Sequence, residues 1–286
     1  DVELRLAGPP RHEVWPAVLL GAGDWRTDTD LRPPPPPLAI GDALELDDGA
    51  LAIMVSSSPI SSRLVEIRFD RDEPAVWSLL YRVGRPIQYA YVRDALELAD
   101  VQTGYAARPW AVEMPSAGRP LTLSTLTELR RHGIAVASLT HAAGLSATGD
   151  PAIDRALPLP ERYEIPAATV AAIERARAHG GRVIAIGTSV VRALEGNARA
   201  FGKLVAGGGQ TDVLLGPGFA RRVVDGVLSG VHEPGSTHHA LLGAFATPEL
   251  LTRAHARALA TDLWIHEFGD STLIAPGLAE ALAAAA

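Results

Sequence analysis

The chain has 286 residues, no cysteine and a formal net charge of −7, with 47% hydrophobic and 21% charged residues. This aliphatic, globular balance excludes wholesale disorder, and the missing thiols exclude disulfides, zinc–thiolate sites, iron–sulfur clusters and cysteine catalysis. No apolar run reaches the ~18 residues a membrane span needs, and the acidic balance argues against a broadly nucleic-acid-binding surface. Absent cysteine and absent spans fit a cytoplasmic protein. The chain begins at Asp1 rather than Met, and a preceding N-terminal part is expected.

Residues 1–69 read as β-rich. Val2 to Leu6 alternates as a half-buried strand does, and Val14 to Leu20 is a second apolar run. Pro33 to Pro37 is a stiff polyproline connector, either a ligand for proline-binding modules or a spacer between strands. Leu44, Leu46, Leu51, Ile53 and Val55 form two short strands about the turn Asp47-Asp48-Gly49, and Leu64 to Phe69 is another strand. Close-set short strands suggest a small barrel or sandwich.

After Asp70 the pattern changes. Ala75 to Tyr81 is helical. Leu121 to His132 is an amphipathic helix, with capping-box spacing at Thr125 and Glu128 and a stop at Gly133. Ile134 to Leu139 reads as a buried strand and 141–160 as a loop. Ala167 to His179 is a helix closed by two glycines, Arg182 to Ile186 a strand, Thr188 to Asn197 a helix, and Gly207 to Gly209 a mobile loop. Thr211 to Leu215 is a strand, and Ser236 to Ala246 and Pro248 to Ala260 are helices. Ala279 to Ala286 reads as a frayed helix. Alternating strands and helices make the later part an α/β layer. The resulting division is a mainly β-barrel domain over 1–92 and an α/β domain over 93–286.

Several motifs fail on inspection. Gly196 to Lys203 imitates a phosphate loop but has one residue too many, and Leu204 stands where Ser or Thr binds magnesium. No G-x-G-x-x-G follows a strand, and no G-x-S-x-G elbow exists. His232, His238 and His239 cluster, yet adjacent histidines on a helix diverge by about 100°, so no metal site is assigned.

Three segments concentrate polar groups at strand ends. Gly187 to Glu195 places Thr188 and Ser189 at a helix N-terminus, with Arg192 one turn on. Plain capping with a surface arginine is the competing reading. Val224 to Thr237 carries Asp225, His232, Ser236 and Thr237, and Ser236 is placed to cap a helix. Phe268-Gly269-Asp270 precedes Leu273-Ile274.

Together these segments resemble the S-adenosylmethionine:tRNA ribosyltransferase-isomerases of queuosine biosynthesis. The family's G-T-T-S-V-R-T-L-E is similar to Gly187–Glu195, and its T-D-x-F-I-x-P-G-Y to Thr211–Phe219. Its V-V-D-G-L-I-T-N-F-H-L-P-K-S-T is similar to Val223–Thr237, and its S-Y-G-D-A-M-L-I to Glu267–Ile274. Gln102–Ala106, Pro115-Ser116-Ala117-Gly118 and Tyr163–Pro166 resemble its Y-Q-T-V-Y-A, P-T-A-G and Y-E-V-P. The resemblance implies an α/β domain with an inserted antiparallel β-barrel. It also implies transfer of the ribosyl part of S-adenosylmethionine to the aminomethyl group of a 7-deazaguanine in tRNA, releasing adenine and methionine.

Implied partners are S-adenosylmethionine and tRNA, with no cofactor beyond that substrate, because the sulfonium itself acidifies the ribose C5′ hydrogens. A general base and a proton donor for adenine are required. His141 and His232 are the candidates for proton transfer, with Asp225 orienting one or acting as base. Pro115, Ser116, Ala117, Gly118, Gly187, Thr188, Ser189, Arg192, Glu195, Asp212, Ser236, Thr237 and Asp270 are the candidate substrate-binding residues. For Asp225 the competing reading is a turn residue. For Glu195 it is a helix-surface partner of Arg192, and for His141 a strand-end histidine.

The chain departs from the family in places. Pro120 replaces a histidine, Pro158-Leu159-Pro160-Glu161 stands for M-H-S-E, and Gly235 replaces a lysine. The family's first strands and N-D-T-R segment have no counterpart. These losses keep two alternatives open: an S-adenosylmethionine-dependent enzyme acting on a small-molecule acceptor, and a non-catalytic nucleotide-binding homologue.

Overall fold

The computed structural model describes residues 1–146, 148–265 and 267–277, so the Ala279–Ala286 helix reading lies outside the described residues. The chain divides into two compact units. The first comprises Asp1–Gln102, Ala107–Met114 and Ala142–Leu159; the second comprises Thr103–Ala106, Pro115–His141 and Pro160–Ala286.

The first unit is built on five antiparallel strands: β1 (Glu3–Leu6), β2 (Val14–Leu20), β3 (Ala43–Glu45), β4 (Leu51–Ser57) and β5 (Leu64–Phe69). Their order is β1-β2-β5-β4-β3, with β1 and β3 at the edges. Alternation sends Trp15, Ala17 and Leu19 of β2 to one face, where they meet Val65, Ile67 and Phe69 of β5 and Ala52 and Met54 of β4. Helix α1 (Glu73–Val83) lays Val76 and Leu79 on that face; Asp72 caps it by accepting from the Ala75 amide. Trp15 packs edge-on against Phe69 and Trp77. Val18 and Leu20 point the other way, onto Leu145. The proline run is a connector beside the end of β2: Pro33 O accepts from the Gly21 amide, and the buried Arg32 binds Glu3 and Gly21 O.

The second unit holds two three-stranded sheets. In one, β8 (Ile184–Ile186) runs parallel to β10 (Gly226–Gly230), and β11 (Ser271–Ile274) pairs antiparallel on the far side of β10. In the other, β6 (Thr140–His141), β7 (Glu161–Ile165) and β9 (Gly207–Thr211) are antiparallel, in the order β6-β7-β9. Helix α5 (Thr188–Phe201) is buried at every position from Val191 to Ala198 and contacts strands of both sheets. A helix covered on all sides in this way is core rather than surface. The unit also carries α2 (Leu123–Arg131), α4 (Ala167–Ala178), α6 (Thr237–Leu242) and α7 (Pro248–Ala260).

Four local readings change. Ile134 to Leu139 is not a buried strand: these residues are largely exposed and only Thr140–His141 pairs, because among the described residues no neighbouring strand covers the preceding run. The 141–160 stretch contains α3 (Pro151–Ala156), which Asp150 caps by accepting from the Ala152 and Ile153 amides. The strand placed at Thr211–Leu215 lies earlier, at Gly207–Thr211, so the three glycines are a paired strand and not a mobile loop. There a Cβ at Gly209 would come within 2.5 Å of the Tyr163 hydroxyl. The missing side chain is what lets the tyrosine lie across its neighbour strand. Finally, α2 is capped by Thr122, three residues before Thr125.

Candidate active site

The site grows from the C-terminal ends of the parallel pair β8 and β10, the edge where open α/β sheets bind ligands. Past Ile186 the chain turns directly into α5 through Gly187, whose φ of 96° is a conformation L side chains rarely adopt. Its amide continues the sheet by donating to Leu228 O at 2.8 Å. No side chain caps α5. The amides of its first turn, at Thr188 and Ser189, therefore face the edge with the positive end of a 14-residue helix behind them.

A 3-10 turn, Ser116–Gly118, packs beside this edge against β10. Ala117 is its closest point: a Cβ at Gly187 would touch the Ala117 methyl at 3.6 Å. Pro115 O closes the turn by accepting from the Gly118 amide, and the Tyr105 hydroxyl donates to Gly118 O at 2.9 Å. Burial pushes the Tyr105 hydroxyl above the usual phenol range. Arg119 stacks over Phe268 at 4.7 Å, which ties the third motif to the turn. Within that motif Asp270 closes its own loop: its carboxylate accepts from the Trp264 amide and its amide donates to Trp264 O.

His232 follows β10 at the same edge. Its Nε2 lies 2.7 Å from Ser229 Oγ, and its ring stacks on His238 with centroids 5.0 Å apart. Burial, assisted by His238 and His239, pulls its pKa from 6.5 down to about 3, so the ring is neutral across the physiological range. Ser236 caps α6 by accepting from the His239 amide, and Thr237 opens that helix exposed to solvent. His238 faces His232 while His239 interacts with His255, as the helical divergence requires. Among the described residues no group of three or more acidic or imidazole side chains is placed to hold a metal.

One turn into α5, on the face of Thr188, a buried charge cluster begins. Arg192 Nη1 donates to Glu161 Oε2 at 2.5 Å and its Nε to Val213 O at 3.3 Å, while Nη2 is buried without a partner among the described residues. Burial lowers the Arg192 pKa against the opposing pull of Glu161 and the exposed Asp212. His141 sits across from Tyr163 in the β6–β7 pair, diagonal to Glu161. Its Nε2 is 3.2 Å from Glu161 Oε2 but out of line for a hydrogen bond, and both ring nitrogens are buried without a hydrogen-bond partner among the described residues.

Sequence reasoning passed over Glu161. The signal was its parity: Glu161, Tyr163 and Ile165 are the buried positions of β7, so a carboxylate there needs a buried cation.

Two candidates lie elsewhere. Glu195 is only 1% exposed and does not pair with Arg192 on a helix surface. Its carboxylate instead accepts from the Arg222, Val223 and Val224 amides at 2.8, 2.9 and 2.8 Å, pinning the chain that leads into β10. Asp225 lies at the N-terminal end of β10, with the strand's whole length between it and His232. At ~3.3 Å per residue that separation is too great for either to orient the other. Its carboxylate accepts from the Val183 amide at 2.8 Å, where it starts β8 beside β10.

The family model described as queuosine biosynthesis protein matches residues 14–274. An S-adenosylmethionine:tRNA ribosyltransferase-isomerase of Azoarcus sp. (strain BH72) is 37% identical over 240 residues, covering 82% of this chain and 68% of that protein. One of Trichlorobacter lovleyi is 33% identical over 279 residues, covering 96% and 77%. A crystal structure of S-adenosylmethionine tRNA ribosyltransferase from Thermotoga maritima aligns with 21% identity and a TM-score of 0.47, covering 95% of this chain and 74% of that one.

Proposed function

The chain belongs to the queuosine biosynthesis protein family, and from that premise we propose how its site performs the ribosyltransferase-isomerase reaction. It transfers the ribosyl part of S-adenosylmethionine to tRNA, isomerises it, and releases adenine and methionine. The acceptor is the aminomethyl group of a 7-deazaguanine. The observation that carries this reading is the convergence of the Ser116–Gly118 turn, the uncapped start of α5 and the neutral His232 at one edge of the parallel strands.

In this proposal the free amides at Thr188 and Ser189 hold the methionine carboxylate at the positive helix end. His232, neutral in the free protein, receives the C5′ proton that the adjacent sulfonium acidifies, a step that needs the bound methionine carboxylate beside the ring to restore the basicity burial removes. His141 delivers a proton to the departing adenine, and Glu161 holds the developing charge balance between that imidazole and Arg192. No step is routed through a metal or redox cofactor, since the sulfonium supplies both the acidity and the leaving group. Asp225 and Glu195 take part only by fixing the strands. The finer reading of the first unit is the inserted barrel of the family, presenting the tRNA.

The reaction is tested by chromatography of adenine and methionine after incubation of the full chain with S-adenosylmethionine, with and without tRNA bearing the aminomethyl-deazaguanine. Equimolar release that depends on the tRNA supports the proposal. Equal release without tRNA reassigns the acceptor to a small molecule or water, and binding without release assigns a non-catalytic role.

A further inference from the structure

At the opposite edge of the same sheet, where β10 begins, lies an open cleft of about 330 Å³. Arg177, Arg221, Arg222 and Asp225 line it, with Phe219 in its wall. Each guanidinium is held in place by backbone carbonyls. Arg177 donates to Val223 O at 2.7 Å, Arg221 to Val224 O and Asp225 O at 2.9 and 3.0 Å, and Arg222 to Ala198 O at 3.3 Å. Arg221 also lies over the Phe245 ring, and Arg199 stands over Phe219. Among the described residues none of the three lining arginines has a carboxylate within ion-pair distance.

The chain carries a net charge of −7. Two fixed arginines pair with acids, Arg32 with Glu3 and Arg192 with Glu161, while Arg63 and Arg182 are held by backbone carbonyls as the three here are. Here three pre-positioned guanidiniums face one cleft, and the single acid, Asp225, spends an oxygen on the Val183 amide. The excess of positive charge and the spare N–H groups match an oxyanion carrying several acceptors.

We propose that this arginine cleft binds backbone phosphate of the tRNA substrate. The inference rests on the reading of tRNA as acceptor. It places one tRNA contact at the edge of the second unit away from the reaction, where charge neutralisation supplies affinity without touching the chemistry. Phosphate contacts of this kind position a nucleic acid and make its binding salt-dependent.

The test is filter binding of tRNA across a potassium chloride series, comparing the wild type with Arg177→Gln/Arg222→Gln and Arg177→Lys/Arg222→Lys. Each lost phosphate contact lowers the slope of log K against log salt by ~0.7 to 0.9, so the glutamine pair weakens binding about 25- to 60-fold at ~0.1 M salt. The lysine pair, which keeps the charge, retains most of the slope. S-adenosylmethionine affinity, measured by calorimetry on the same proteins, stays unchanged. An unchanged slope in the glutamine pair overturns the cleft proposal alone. A parallel loss of S-adenosylmethionine affinity or of thermal stability also overturns it, by showing a structural effect. If the wild type does not retain tRNA at any salt, the reading of tRNA as acceptor falls, and the cleft proposal with it.

Discussion

Lowering the pH should destabilise this protein through His232. In the folded chain its pKa is about 3 rather than 6.5, chiefly because burial beside β10 removes the solvation its cation needs. Below 6.5 the unfolded state binds a proton that the folded state refuses. Stability is therefore complete above that pH and falls as pH drops toward 3. From these two values, at 1.36 kcal/mol per pH unit, the loss is roughly 1.4 kcal/mol at pH ~5.5 and about 3 kcal/mol at pH ~4. Urea denaturation of the wild type and of His232→Asn at these pH values isolates the contribution. The variant retains a hydrogen-bonding partner for Ser229 but cannot titrate. Its stability should decline less with acid, by the amounts given. Parallel declines would refute the argument that burial holds this ring neutral.

Other perturbations separate structure from chemistry. Glu195→Ala strands two buried amides, each worth about 1–3 kcal/mol, and a half-buried third, and should cost about 3–5 kcal/mol in urea denaturation once water relaxes the site; a loss below ~1 kcal/mol contradicts the anchoring role. Glu161→Gln leaves Arg192 as a poorly compensated buried cation and should cost about 3 kcal/mol; adding Arg192→Met should restore part of that loss, as a double-mutant cycle in denaturant will show. Gly187→Ala forces an alanine to a φ of 96°, and calorimetry should show weaker S-adenosylmethionine binding with a stability loss of about 1–2 kcal/mol.

Much of the first unit was legible because its strands alternate. Leu4 and Leu6, Trp15 to Leu20, and the turn at Asp47–Gly49 each declare a face or a hairpin within a few residues. Helix α5 was equally plain, since it opens straight from an apolar strand through a glycine. What the sequence hides is partnership. Ile134 to Leu139 has the composition of a buried strand but pairs with no strand among the described residues, whereas Gly207–Gly209 has no strand propensity and is held in a sheet by β7.

The same limit governed the site. The Gly187–Arg192 segment and the Pro115–Gly118 turn were found by pattern, and the fold brings them together at one edge. Asp225 and His232 share a motif in sequence, yet a strand carries them to opposite edges. Glu195 and Arg192 are three apart on one helix, yet each turns to a different partner across the core. Glu161 entered through β-strand parity, which becomes informative only once β7 is known to be a strand.

With the chemistry proposed at the C-terminal edge of β8 and β10 and protons moved by His232 and His141, the decisive assay is tRNA-dependent adenine release from S-adenosylmethionine by the wild type, His232→Asn and His141→Asn, with substrate affinity measured on each. General acid–base groups contribute about 10²- to 10⁴-fold. Either variant should lose at least ~100-fold in kcat while S-adenosylmethionine still binds. Undiminished release by both variants would contradict that placement and move the reaction away from this edge.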